Sequence, residues 1–527
     1  MGKIVVFSKT NCPHCVSAKN LLSELALPYH EIDITDDIPS RMLMSYVSQQ
    51  YTVPQIFFNN NHIGGAADLD ALGQDTIKAL GETALAEAEA PQFLTQPPSE
   101  TELAKGVLPL SAALDSSIPE NWMEQPEHDV VEAWYSEVFG FLGDGYKYFL
   151  VKPELATNWM TTFSAIMAVV SAKLGQQWGL ACFATAYTSG CAYCSAHGAG
   201  FAMIYGQQDP ANLADLIRYL DGEAGELDDL PFTEEQLAYI NLAAKTTNHL
   251  VVEEDIHRLR KAVGIKELGA YTASVAAMGG MMGMLTRQVD MLGLEIEAEF
   301  KTTIDNSALG EVWEWGAHDT QEKENLHNIK EVDPSADLAP KLKRLRDTIW
   351  EMNTYKREEY DAYPDELLPN WIGSLPDQFM IGGASHLYHS AFKDGELPAC
   401  PKHLAAYLVT YASGYPNLAA EERRLAITSS GDAALTLQQL AQVEAFAKSH
   451  DISDLIDLDE AGVMAIRFAE CSISYPNVIP GRLVFDLTKK LKPKQIAELI
   501  SCVACIGFAQ RWTGIWEVYN DYMLKQA

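Results

Sequence analysis

Four cysteines and one histidine carry the reactive chemistry of this sequence. Cys12 and Cys15 stand in "SKTNCPHCVS", and Cys191, Cys194 and His197 stand in "SGCAYCSAHGAG". A thiol attacks as its thiolate, and a helix N-terminus favours that form through its unpaired N–H groups. Cys12 falls where a strand pattern gives way to a helical one, with Cys15 one turn inside, so the first thiol can attack and the second resolve. In the second motif the surroundings are helical, and residues three apart share a helix face. Cys191, Cys194 and His197 therefore form one stripe. An imidazole beside a thiol can take its proton and return one to a leaving oxygen, while a second thiol closes a disulfide before sulfenic acid over-oxidises. That is a compact device for reducing peroxides or disulfides. The competing uses are a structural disulfide, a zinc half-site or iron–sulfur binding for the first pair. For the second trio they are zinc binding, which lacks a fourth ligand, or inert packing.

The elements around each motif differ in kind. Residues 1–82 read β-α-β-α-β-β-α: "KIVVFS", "VSAKNLLSELAL", "PYHEIDI", "IPSRMLMSYVSQQ", the pair "PQIFFNN" and "HIGG", and "DLDALGQDTIKALGE". This is an α/β, thioredoxin-like arrangement. Residues 83–117, acidic and Pro-bearing, read as a linker. From 118 onward the 3.6-residue period dominates, giving an all-α region at 118–317, a charged connector at 318–345 and a second helical region at 346–527. "YTSG" at 187–190 recurs as "YASG" at 411–414, and "GMLTR" at 283–287 as "GFAQR" at 507–511, which suggests an internal duplication. At that offset Cys191, Cys194 and His197 become Tyr415, Leu418 and Glu421, so the second copy lacks the chemistry.

The totals narrow the partners. The chain has 527 residues, enough for several domains, and a formal net charge of −34. Nearly all of that charge lies beyond residue 80, and such a surface repels phosphate backbones and anionic lipid, arguing against nucleic acid and membrane partners. No apolar stretch is expected to span a membrane, and no signal peptide is read before the first strand. Nine cysteines in this length do not make a disulfide scaffold, so a reducing, cytoplasmic setting is expected. Cys502 and Cys505, in an apolar helix, read as core, as does the small-and-large run "MGGMMGM" at 278–284. Glu253, Glu254 and Asp255 read as a solvated helix start.

Three ordered motifs, the Cys12–Cys15 pair, "TVP" at 52–54 and "GGAADL" at 64–69, make residues 1–80 resemble a dithiol glutaredoxin. The resemblance implies a cis proline at 54 and glutathione as reductant. It places Lys9 on a glutathione carboxylate, the Thr52–Val53 backbone along the tripeptide, and Ala67 and Asp68 at its γ-glutamyl end. His14 departs from the tyrosine common in that family. The core "YTSGCAYCSAHGAG" resembles the AhpD-like alkylhydroperoxidases of the carboxymuconolactone decarboxylase superfamily. That likeness implies an all-α bundle that commonly oligomerises, Cys194 as peroxidatic thiol, Cys191 as resolving thiol and His197 as proton shuttle. The family's histidine usually falls one residue later, and its glutamate, about a dozen positions before the first cysteine, is missing: position 179 is Gly.

The combined expectation is a multidomain oxidoreductase without a metal. Its second dithiol reduces an alkyl or hydrogen peroxide, and its first, fed by glutathione, restores the second. Reduction of a protein or small-molecule disulfide, and a non-catalytic redox-sensing scaffold, are the alternatives. Homo-oligomerisation is expected through the helical region.

Overall fold

The computed structural model describes residues 3–9, 12–35, 37–103, 105–106, 108–114, 117–118, 144–223, 225–313, 365–474, 477 and 479–526. The charged connector read at 318–345 lies outside them. The chain divides into two compact units, the first made of residues 1–117 with 479–492, the second of 118–478 with 493–527.

The first unit is built on a four-stranded sheet in the order β2-β1-β3-β4. Its strands are β1 (Ile4–Ser8), β2 (His30–Asp33), β3 (Gln55–Phe58) and β4 (Asn61–Gly64). β1 pairs parallel with β2 and antiparallel with β3, and β3 pairs antiparallel with β4. β1 is apolar at every position up to Ser8 because both of its faces are covered. Successive side chains point to opposite faces. Ile4 and Val6 meet Ala18 and Leu22 of α1 (Pro13–Glu24) and Ile77 of α4 (Gln74–Ala86), whereas Val5 and Phe7 meet Met44 of α2 (Ile38–Ser48) and Phe57. Truncating Leu22, which has no exposed surface, to Ala would cost roughly 2–5 kcal/mol. Between β4 and α4 lies the short helix α3 (Ala66–Ala71).

Residues 83–117 are not the free linker the composition suggests. Phe93 packs against Phe57 and Phe7 at ring-centroid distances of 5.1 and 6.1 Å, and the Gln92 amide donates to Asn60 Oδ1 at 2.7 Å. Arg41 donates to the carbonyls of Ile34 and Ala112. The helix Gly481–Lys490, read from sequence as part of the last helical region, also belongs to this unit and buries Leu483, Val484, Phe485 and Leu487. An amphipathic stripe fixes which face is buried, not what it is buried against.

The second unit is helical. Helices Pro153–Leu174, Trp178–Thr188, Ala192–Ile204, Pro210–Leu220, Glu234–Lys245 and Ile265–Leu292 are followed, in the same order, by Gln378–Phe392, Ala399–Ala412, Pro416–Thr428, Ala433–Ser449, Glu460–Glu470 and Pro493–Gln526. Each of the second set starts about 224 residues after its counterpart. The long helices Ile265–Leu292 and Pro493–Gln526 cross backbone to backbone. A Cβ on Gly283 would meet the Gly507 carbonyl oxygen at 2.3 Å, and one on Gly507 would meet the Gly283 oxygen at 2.2 Å. Met278, Met281, Met282 and Met284, together with Cys502 and Cys505, are buried, which agrees with their reading as core.

Two expectations are corrected. Pro153–Leu174 and Ile265–Leu292 are long and apolar enough to cross a membrane, but 83% and 78% of their most apolar windows are buried inside the protein, as in core helices. Asp255 is not solvated: it is buried, caps the Val252 amide at 2.9 Å and accepts from Asn241 Nδ2 at 2.7 Å. Elsewhere, buried Glu498 lies 2.7 Å from Lys152 and 2.9 Å from Lys402. Burial works to raise its pKa, but the two lysines outweigh burial and hold the carboxyl below its usual range.

Candidate functional site

In the first unit Cys12 is the N-cap of α1, with extended backbone at φ −104° and ψ 104°, and Pro13 opens the helix. Its Sγ accepts from the Cys15 amide at 3.1 Å and lies 3.9 Å from the Val53 carbonyl oxygen. The two cysteines are joined as a disulfide. The Val53–Pro54 bond is cis, as the resemblance implied. Phe7 pairs with Gln55, so the ends of the strands bring Lys9 and Val53 to the same edge of the sheet. β4 ends at that edge opposite Ile56 and leads into α3, which carries Ala67 and Asp68. The Asp68 carboxylate accepts from the Gly65 amide at 2.8 Å, closing the first turn of α3. Thr52, Lys9, Ala67 and Asp68 are exposed, and so is His14.

In the second unit the helix Trp178–Thr188 ends at Ser189, and Gly190, at φ +66°, turns the chain into the motif helix Ala192–Ile204. Only a residue that tolerates the left-handed region makes this turn cheaply. Cys191 then caps the helix, its Sγ accepting from the Cys194 amide at 3.2 Å. Cys191 and Cys194 are free thiols, 1% and 4% exposed. Burial pushes the Cys191 thiol well above its ordinary value, with Cys194 and Asp290 beside it adding to the shift. Cys182 is also buried, and its thiol is raised by burial with a smaller contribution from Cys194.

Each ring nitrogen of His197 has one in-plane site, and both face oxygen. Nδ1 is 2.8 Å from the Tyr193 carbonyl, so it carries a proton there, and Nε2 lies 2.9 Å from Glu297 Oε2. The second is an ion-pair distance rather than an aligned hydrogen bond. The structure thus holds an imidazole–carboxylate pair. Tyr193 Oη donates to the other Glu297 oxygen at 3.0 Å, and the ring sits between Tyr193 and Phe300, each 4.3 Å away by centroid.

Glu297 and Asp290 were invisible to sequence reasoning. Glu297 is an acid between Ile296 and Ala298, far along the chain from Cys194, and no spacing rule links them. The structure also explains why position 179 holds no acid. A Cβ on Gly179 would meet the Ala202 amide nitrogen at 2.6 Å, and one on Gly198 would meet Phe183 Cα at 2.7 Å, so the two helices touch there. In the second set of helices the matching positions are His403 and Glu422, buried and 2.8 Å apart, with Tyr388 Oη donating to Glu422 at 2.6 Å. Tyr415 and Leu418 are buried where the motif thiols would be, and Glu421 pairs with Arg424. Among the described residues no group of three or more His, Cys, Asp or Glu could hold a metal ion.

Comparison with known proteins bears on the first unit. Residues 4–63 match the glutaredoxin family. The chain is 40% identical to Glutaredoxin 3 of Escherichia coli (strain K12) over 72 residues, 14% of this chain and 87% of that protein. It is 36% identical to Glutaredoxin-C2 of Arabidopsis thaliana over 75 residues, 14% and 68% of the two chains. It is 40% identical to the chloroplastic Glutaredoxin-C4 of Oryza sativa subsp. japonica over 84 residues, 15% and 63%.

Proposed function

The chain belongs to the glutaredoxin family through its N-terminal residues, and from that membership we propose a glutathione-dependent thiol–disulfide oxidoreductase that drives a second dithiol, Cys191 and Cys194, to reduce a peroxide. Glutathione is read as the reductant, with Lys9, Thr52, Val53, Ala67 and Asp68 as its binding residues, in a reducing, cytoplasmic setting. The observation that carries the reading is that both dithiols share one local frame. In each, the first cysteine caps a helix and its sulfur accepts the amide of the second. The matched helix spacing and the reciprocal Gly283–Gly507 contact support an internal duplication of the helical unit, and its AhpD-like character rests on the likeness of the Cys191–His197 motif.

The reaction runs in balanced steps. Cys194 gives its proton to the His197–Glu297 pair and attacks the peroxide as thiolate; an S–O bond forms, the O–O bond breaks, and the leaving alkoxide takes that proton from the pair. Cys191 displaces water from the resulting sulfenic acid and closes a disulfide. The Cys12–Cys15 dithiol reduces that disulfide and becomes one itself. Two glutathione thiols then restore it, leaving one glutathione disulfide. Overall, a peroxide and two glutathiones give an alcohol, water and the oxidised tripeptide.

The test is peroxide consumption coupled to glutathione, glutathione reductase and NADPH. Cys194→Ser abolishes it while leaving reduction of a small disulfide by Cys12 and Cys15 intact; turnover equal to wild type overturns the peroxidase assignment. A Cys15→Ser variant traps a mixed disulfide from Cys12 to Cys191 or Cys194. The lack of an acid at position 179 favours a second reading, in which the acceptor is a disulfide rather than a peroxide. Activity on small disulfides with none on peroxides selects it.

A further inference from the structure

The second unit holds a cavity of about 690 Å³ that the thiol chemistry does not use. Matching segments of the two helix sets build its wall: Ser189 and Gly190 from one, Ser413 and Tyr415 from the other. At its floor are Arg287 and Arg511, each 1% exposed. Their stems start at the same helix crossing. A Cβ on Gly283 would come within 3.0 Å of Arg511 Cδ, and one on Gly507 within 3.1 Å of Arg287 Cδ.

We propose that this cavity binds a small organic molecule through an oxyanion, a carboxylate or a phosphate, held by Arg287 and Arg511. Both guanidiniums are preorganised. Arg287 donates from Nη1 to the Val503 carbonyl at 3.0 Å and from Nη2 to Gln510 Oε1 at 2.5 Å, and Arg511 donates from Nη2 to Ser189 Oγ at 2.8 Å. A guanidinium fixed in this way meets an oxyanion through the second hydrogens of those terminal nitrogens without losing further rotamer freedom. Asp221 is the carboxylate among the lining residues, and it already accepts from Tyr187 Oη at 2.8 Å. Among the described lining residues two guanidiniums stand against one carboxylate, in a chain of net charge −34. The volume is that of an organic ligand rather than a bare ion, and the rings of Tyr187 and Tyr415 offer it apolar wall.

The test is calorimetric titration and thermal shift on the full chain with citrate and with inorganic phosphate, glycerol serving as the neutral control. Citrate or phosphate binds and raises the melting temperature, and glycerol does neither. Citrate the stronger assigns a carboxylate ligand; phosphate the stronger assigns a phosphate. Arg511→Gln weakens binding at least about tenfold, and Arg511→Lys, which keeps the charge but not the fork, weakens it less. Should Arg511→Gln fail to fold, Ala412→Trp, at an exposed position on the lining, blocks the cavity without touching the core. No binding of either anion, or unchanged affinity in Ala412→Trp, overturns the site. Repeating the titration in Cys194→Ser, where peroxide turnover is already lost, keeps this outcome separate from that of the redox reading.

Discussion

His197 Nε2 stands 2.9 Å from Glu297 Oε2, although His197 lies within the helix Ala192–Ile204 and Glu297 caps the later helix Ala298–Asp305. With Nδ1–H given to the Tyr193 carbonyl, any proton between imidazole and carboxylate is one the pair must share. If that proton goes to the leaving oxygen, Glu297→Gln slows peroxide turnover by about a hundredfold, at the low end of a general acid–base contribution. Glu297→Asp restores part of the rate. Disulfide reduction by Cys12 and Cys15 is unchanged in both variants. Steady-state rates with each substrate check this, and equal peroxide rates for wild type and Glu297→Gln would remove Glu297 from the relay.

Gly283→Ala places a methyl group on the Gly507 backbone, where nothing flexible can yield. Ala favours a helix over Gly by roughly 1 kcal/mol, but overpacking a helix contact costs about 1–3 kcal/mol, and here the obstacle is main chain. Both Gly283→Ala and Gly507→Ala therefore lower the urea midpoint, and the double variant deviates from additivity because the two methyls contest one gap. All ten tryptophans lie outside the first unit, so tryptophan fluorescence reads this transition alone. An unchanged or higher midpoint in both single variants would mean the helices do not meet at these glycines.

Stability of the helical unit falls as pH rises above about 8.5, where thiols of an unfolded chain ionise. Burial holds Cys182, Cys191, Cys502 and Cys505 protonated in the folded state, their thiols pushed up. A raised folded pKa contributes stability that is fully present below the unfolded value and is lost on the way up to the folded one. Each such thiol removes about 1.4 kcal/mol per pH unit within that window. Urea midpoints at neutral and alkaline pH, read by tryptophan fluorescence, fall on the alkaline side. Cys502→Ala shows a shallower fall; a slope equal to wild type would contradict the assignment for that thiol.

Much of the first unit was legible before any coordinates, because its signals are local. The β-rich run ending at Ser8, Pro13 opening α1, and Cys12 at the strand-to-helix junction depend on neighbours within a turn or two. Cys191, read from its spacing as part of a helical stripe, instead caps the motif helix after Gly190. What was not legible depends on contacts between distant segments. Phe93 packing on Phe57 turns an apparent linker into part of a core, and the helix Gly481–Lys490 joins a unit whose remaining residues end near 117.

The sequence by itself determined which residues could exchange electrons, because thiol pairing at a helix start needs only a short spacing. It also determined that the chain beyond the first domain is helical, because a 3.6-residue period is written along it. Only the tertiary structure decided what the imidazole faces. Hydrogen bonding is set by distance in space, and packing brought Glu297 to His197 while closing position 179 to any acid. It likewise decided that Arg287 and Arg511 share one cavity floor, since two glycines had to meet before their stems could converge.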